Sequence, residues 1–279
     1  MTEAHLFNIY DGFHLPTSSL IVGWAQDTGR LGAQVIDCLN RGLGGKEFGE
    51  IEPEGFFPLS GVSIQDDVAQ FPESKFYCCR ENNLVLFKSD LPRFDWYKFL
   101  SLIVDIAERY CNVREIYTVG GIFASSAHTT PREMFAIPNS PETKQVLQGY
   151  GLIRETEMEY ETPLGQRPTL NSFLLWVAKR RGIAAAGIWT TVPFYLAALD
   201  DPRACRKTLE FFDRKFNLGM DFADIDKETK KQNDKMARLR FSLPEIDSYI
   251  QNVESNLGLT EQEVERLSAK VEEYLNKRD

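Results

Sequence analysis

The residues with most chemistry to offer cluster where apolar runs give way to glycine. The run Leu20-Ile21-Val22-Gly23-Trp24 breaks into Ala25-Gln26-Asp27-Thr28-Gly29, and Gly32 follows inside the helical apolar spacing Leu31, Val35, Ile36, Leu39. This reads as a buried strand, a tight turn and a helix packed back on the sheet. Asp27 or Thr28 can cap that helix, and its free N–H groups can attract an anion. A second strand, Glu115–Val119, is expected to end at Gly120-Gly121-Ile122, ahead of the segment Ser125-Ser126-Ala127-His128-Thr129-Thr130. Its hydroxyls and imidazole make it the best candidate for a ligand or catalytic loop, set against the plain reading of a polar loop. A third strand, Ala184–Trp189, leads into Thr190-Thr191. The candidate ligand- or partner-binding set is therefore Gly23, Trp24, Asp27, Thr28, Gly29, Gly32, Gly120, Gly121, Ile122, His128 and Thr190. Trp24, Asp27, Thr28 and Gly29 are expected beside Gly120, Gly121 and Ile122, lining one depression, because parallel strands bring their ends to one sheet edge.

The spacing fails the stricter motifs. Gly23, Gly29 and Gly32 do not make G-x-G-x-x-G, and no Gly-Lys-Ser/Thr follows. Close backbone packing is the simpler role for these glycines. There is no G-x-S-x-G elbow, no H-E-x-x-H and no spaced Cys/His set for zinc. His5 and His14 fall in N-terminal segments, and Asp66-Asp67 and Asp200-Asp201 read as solvated turns. No catalytic residue, cofactor or metal is expected.

Around these strands the chain alternates. Lys46–Ile51 reads as a strand, and Phe76–Arg80 with Asn83–Phe87 as a hairpin. Asp95–Tyr110 reads as an amphipathic helix with Phe99, Leu102, Ile103 and Ile106 on one face. Thr130–Ser140 reads as a loop around a short extended piece, Ser140-Pro141 as a helix start, and Leu152–Glu161 as an exposed strand or hairpin arm. Thr169 caps a helix over Asn171–Arg181. Pro193 is expected to open a helical region reaching Phe216. Alternation from residue 18 to about 216 predicts a three-layer α/β/α sandwich with a mixed, mostly parallel sheet, Leu20–Trp24, Glu115–Val119 and Ala184–Trp189 being its central strands.

The composition shifts after Met220, so residues 1–221 are expected as one α/β domain and 222–279 as a C-terminal helical extension. Phe222–Arg240 is charged and apolar-poor. Ser242–Glu245 and Thr260–Glu263 both match the capping-box pattern, and Gly258 separates two seams: Ile246, Ile250, Val253, Leu257 and Val264, Leu267, Val271, Leu275. A helical hairpin over residues 242–276 is expected, covered by its own sandwich, by another subunit or by a client.

The chain has 279 residues, 43% hydrophobic and 26% charged, with a net charge of −9. That balance suits a folded globular chain and gives nucleic-acid binding no electrostatic support. No stretch approaches the roughly 18 apolar residues of a membrane span. The N-terminus lacks a basic region followed by an apolar one, so a cytoplasmic setting is expected. Five cysteines (Cys38, Cys78, Cys79, Cys111, Cys205) at irregular spacing read as structural thiols in a reducing compartment. The vicinal pair Cys78-Cys79 is expected to point to opposite faces of its strand.

In order, the segments LIVGWAQDTGRLGAQVIDCL, EGFFPL, IYTVGGIF, GLIRE, TLNSFLLWVAKRRGI and AAAGIWTTVPFY resemble the PAC2 family, the proteasome assembly chaperone 2-like proteins of archaea and bacteria. The resemblance covers roughly residues 15 to 218. It implies a phosphorylase/hydrolase-like α/β/α fold, homo-oligomers with trimers favoured, and chaperone-like work on protein partners rather than catalysis. Trp24 and Gln26-Asp27 stand where the family often has a more apolar, Gly/Pro-containing turn. The ending Leu275-Asn276-Lys277-Arg278-Asp279 differs from the hydrophobic-Tyr-X tail by which some relatives dock on proteasome rings, so docking through such a tail is not expected.

Two functions follow. One is an assembly-chaperone-like scaffold, in proteasome or other complex assembly. The other is a nucleotide- or nucleoside-like small-molecule binder or enzyme, using the strand-end glycine loops.

Overall fold

A computed structural model describes residues 6–10, 15–65, 67–153 and 169–277. His5, His14, Asp66 and most of the arm expected over Leu152–Glu161 lie outside these residues.

The sheet has eight strands: β1 (Phe7–Ile9), β2 (Ser18–Trp24), β3 (Lys46–Ile51), β6 (Ser74–Cys79), β7 (Leu84–Ser89), β8 (Val113–Ala124), β9 (Met134–Pro138) and β10 (Ala184–Pro193). Between β3 and β6 a separate small hairpin pairs β4 (Ser63–Gln65) with β5 (Val68–Gln70). The order across the large sheet is β1-β3-β6-β7-β2-β8-β10-β9. The centre, β7-β2-β8-β10, is parallel, and the flanking strands are antiparallel.

Helices cover both faces. α1 (Leu31–Leu43), α3 (Pro141–Gln148) and α5 (Pro202–Phe216) lie on one side, and α2 (Trp96–Cys111) and α4 (Leu170–Arg180) on the other. Side-chain alternation along β2 divides the core: Ile21 joins the α1/α5 side, and Leu20, Val22 and Trp24 join the α2/α4 side. A parallel strand covered on both faces must be apolar at nearly every position, which is why these runs are continuous. The three-layer α/β/α sandwich with a mixed sheet is thus the fold, with the three expected strands at its centre. Cys78 and Cys79 join opposite core clusters, as strand alternation requires.

Three boundaries differ from the expectation. β8 continues through Gly120 and Gly121 to Ala124, because β10 pairs with it residue by residue as far as Pro193↔Ala124. Pro193 ends a strand instead of opening a helix; residues 194–196 form a single 3-10 turn, and α5 starts only at Pro202. Asp201 is no solvated turn residue. It is fully buried, and its carboxylate accepts from the N–H groups of Arg203 and Ala204 to cap α5.

The C-terminal fifth comprises α6 (Ala223–Ser242), α7 (Pro244–Glu254) and α8 (Glu261–Leu275). Ser242 does not cap α7: its hydroxyl donates to the carbonyl of Arg238, one turn back in α6. The capping box at Thr260 and Glu263 forms in full. α7 ends at Glu254, before Gly258, with Asn256 at a left-handed φ of 55°. Ile246, Ile250, Leu267 and Val271 are buried in one cluster with Met236 and Leu239 of α6 and with Ile21 and Tyr117 of the sheet, so these residues of the two seams are covered within the chain. Leu257 stays 59% exposed.

Candidate functional site

The turn after β2 is built by close backbone approach. A Cβ on Gly23 would overlap the Gly32 carbonyl oxygen, and one on Gly121 would overlap the Thr28 carbonyl oxygen. Gly29 adopts φ +71° and Arg30 φ +47°, the left-handed conformation that turns the chain into α1. These contacts seat the start of α1 on the ends of β2 and β8.

Asp27 occupies the junction. Its Oδ2 accepts from the Gly32 N–H of α1 at 3.0 Å and from the Gly121 N–H of β8 at 3.3 Å. The helix N-terminus that could have drawn in an external anion is thereby served by the chain's own carboxylate. Oδ1 is buried with no hydrogen-bond partner among the described residues. No cation is among its main influences, so burial dominates and pushes the carboxyl up to about 7, although the backbone N–H groups pull the other way. Asp27 can therefore hold or release a proton near neutrality.

Of the expected neighbours, Asp27 and Thr28 reach Gly121 directly, whereas Gly29 lies against Val192 and Ala197 and Trp24 has another partner. Trp24 is buried, and its indole Nε1–H donates to Asn171 Oδ1 at 2.6 Å; Asn171 Nδ2–H donates to the Val119 carbonyl at 3.2 Å. That chain ties β2, β8 and α4 together. A Cβ on Gly120 would lie 2.7 Å from the Trp189 ring and 2.8 Å from Asn171 Nδ2. Ile122 is partly exposed, whereas Thr190 is wholly buried, its hydroxyl 2.8 Å from that of Thr208.

His128 has other partners. It is buried, its backbone N–H donates to the Tyr195 hydroxyl at 2.6 Å, and its Nδ1 lies 2.9 Å from the same oxygen. Burial first, then the charge of Arg240, push the imidazole down to about 4, so it is neutral and can accept from Tyr195 at Nδ1. Below it Arg132 Nε donates to Asp201 Oδ2 at 2.8 Å, and Arg132 Nη1 donates to the carbonyls of Thr130 and Ala127. This ion pair is almost wholly buried. Asp201-Pro202 carries a cap signal that sequence reading passed over; Asn171, Tyr195 and Arg132 carry none.

A second feature lies on the outer α2/α4 layer. Phe173 and Trp176 stack with centroids 5.2 Å apart, Tyr97 lies 5.6 Å from Trp176, and the Arg180 guanidinium sits 5.1 Å from the Trp176 ring centre. Tyr97 is 51% and Trp176 40% exposed. Among the described residues no three His, Cys, Asp or Glu side chains converge as a metal-ligand set, and no helix is long and apolar enough to cross a membrane.

A mixed sheet with a parallel centre, glycine-mediated strand-end packing and a helical C-terminal cover define the class: an open α/β/α sandwich whose strand-end polar groups join one layer to the next. The PAC2 family model matches residues 20–240, and the chain belongs to the PAC2 family. The fold is similar to that of a Mycobacterium tuberculosis protein of unknown function (16% identity, TM-score 0.72, covering 99% of this chain and 94% of that one). It is also similar to an archaeal proteasome activator from Pyrococcus furiosus, PbaB (17% identity, TM-score 0.68, 84% and 98%). A proteasome-assembly chaperone homologue of M. tuberculosis gives 19% identity, TM-score 0.65, and 79% and 94% coverage. No curated protein matches the sequence significantly.

Proposed function

We propose that this chain is a non-enzymatic, assembly-chaperone-like scaffold that works through protein–protein contacts, in proteasome or other complex assembly. Family membership supports the reading, and the Tyr97–Phe173–Trp176 surface is the observation that carries it. Stacked aromatics with a guanidinium on their rim, left in water, are the side chains that anchor protein interfaces. The strand-end groups support it from the other side, since their hydrogen-bonding capacity is largely spent within the fold. The working form is a cytoplasmic homo-oligomer, with a trimer favoured.

Cross-linking with mass spectrometry in the native host tests the reading, comparing the wild-type chain with a Tyr97→Ala/Trp176→Ala variant of equal helicity. The subunits of one defined complex should cross-link beside α2 and α4 in the wild type and disappear in the variant. Identical cross-links in both would overturn the assignment of this surface. Light scattering reads the oligomer directly, three protomers being expected.

A second reading rests on one observation, the unpartnered Oδ1 of Asp27. It makes the strand ends a small-molecule site, nucleotide- or nucleoside-like. A thermal-shift screen with nucleotides and nucleosides, run on the wild type and Asp27→Asn, tests it; a shift absent from the variant supports it.

A further inference from the structure

One guanidinium at the start of α5 has no carboxylate to answer it. Arg203 is half-buried; its Nη2 donates to Asn233 Oδ1 at 3.3 Å, and its Nε is buried with no hydrogen-bond partner. Arg132 and Arg240, by contrast, are paired, the first with Asp201 and the second with Asp247 and Glu254. Among the described residues no carboxylate reaches Arg203. A buried N–H without an acceptor costs free energy, and a guanidinium cannot shed its charge to escape that cost.

Arg203 lines a cavity of about 470 Å³ with His128 and Thr129, from the loop after β8, and with Asn233, Ala237 and Arg240 of α6. The spacing 233, 237, 240 sets the last three along one face of the helix. Every polar side chain in this lining can donate a hydrogen bond, and none is a carboxylate. The Tyr195 hydroxyl accepts from the His128 backbone N–H and donates to Nδ1, so the neutral imidazole carries its proton on Nε2. That Nε2–H has no acceptor among the described residues. Asn233, accepting from Arg203 at Oδ1, keeps its amide N–H groups for another partner.

We propose that this cavity is an anion site that takes a phosphate group, as inorganic phosphate or as the phosphate monoester of a small molecule. Arg203 supplies the charge, and His128, Thr129 and Asn233 supply further donors. The planar fork of a guanidinium matches two phosphate oxygens, and neutral donors around it serve the others. Glu254 does not compete for Arg203: both its oxygens accept from Arg240, and Oε1 also accepts from the Thr129 hydroxyl at 3.3 Å. His128 registers the sign of the local field. After burial, Arg240 lowers the imidazole more than Glu254 raises it, and Arg132 and Arg203 lower it further, down to about 4. A cavity of about 470 Å³ is in the range of small-molecule pockets, so it has room for the group that carries the phosphate. Neither Asp27 nor the Tyr97–Trp176 surface lines it, and the site stands apart from both readings above.

Isothermal titration of the full chain with inorganic phosphate and with glycerol phosphate, in sodium chloride at fixed ionic strength and neutral pH, tests the site. Saturable binding is expected: equal affinities point to the free ion, and tighter binding of glycerol phosphate points to a phosphorylated small molecule. Arg203→Met should weaken binding about tenfold or more, and Arg203→Lys, which keeps the charge without the fork, by less. Asp27→Asn should bind as the wild type does, which separates this site from a strand-end ligand site. In the wild type, saturation should also move the His128 ring signals in proton–nitrogen correlation spectra, assigned by their absence from His128→Gln. No binding of either ligand, equal affinities in the wild type and Arg203→Met, or His128 signals unmoved at saturation would overturn the proposal. Since the His128 signals are read in the wild type, a variant that fails to fold leaves the answer intact.

Discussion

Two carboxylates lie at the ends of the central strands, and the fold treats them differently. Asp201 is fully buried but meets the Arg132 guanidinium and two N–H groups at the start of α5. Asp27 meets only N–H groups, from Gly32 and Gly121, and leaves one oxygen without a partner among the described residues. A buried carboxylate given a cation is a permanent tie between layers; one given only amide dipoles is a tie whose strength depends on pH. His128 supplies the opposite dependence on the same side of the molecule, since burial favours its neutral form.

The largest effect should come from breaking the paired site. Arg132→Met strands the Asp201 carboxylate in the core and should cost about 3–5 kcal/mol in urea unfolding. Arg132→Met/Asp201→Asn, which keeps the helix cap and removes the buried charge, should recover part of that loss. If the double variant is no more stable than the single one, the pair is not what sets this region apart.

The unpaired site should answer in the other direction. The folded-state value for Asp27, about 7, lies above its ordinary 3.8, so the unfolded chain ionises first. Its contribution is therefore present at pH below about 4 and is lost as pH rises toward 7. Asp27→Asn should remove that slope and, at pH 7.5, exceed the wild type by on the order of 3 kcal/mol, the two converging near pH 4. Parallel stability curves for the two proteins between pH 4 and 8 would contradict the account of Asp27.

Gly121→Ala sharpens the comparison by separating the partners of Asp27. The new methyl meets the Thr28 backbone, which cannot rotate away, and should cost about 2 kcal/mol. It should also reduce the pH slope by pushing the Gly121 N–H off Oδ2. The smallest effect concerns His128, lowered from about 6.5 to about 4, whose contribution is present above about 6.5 and lost as pH falls toward 4. His128→Gln should flatten that acid-side slope by about 1–2 kcal/mol, read from melting curves between pH 4 and 7.

Local signals were legible wherever the interaction spans a few residues. Thr169 and Thr260 cap their helices through Ser172 and Glu263, Ser140 accepts from Thr143, and the apolar runs of β2, β8 and β10 are central strands. The same pattern at Ser242 misled, because α6 runs through that residue and claims its hydroxyl. The meeting of the β2 turn with Gly121 was also legible, since parallel strands bring their ends together. The state of Asp27 was not, because its second donor is 94 residues away.

Period, caps and apolar runs in the sequence by themselves determined the α/β/α class, the central strands and most helices, because each depends on neighbours within a turn or on two-faced burial. Only the tertiary structure decided that β8 runs on through its glycines, since that rests on pairing with β10. It likewise decided that Asp201 meets Arg132 and that the Asp27 carboxylate meets the Gly121 N–H. Those pairings join elements far apart in the chain, and spacing within one element carries no record of what packs across from it.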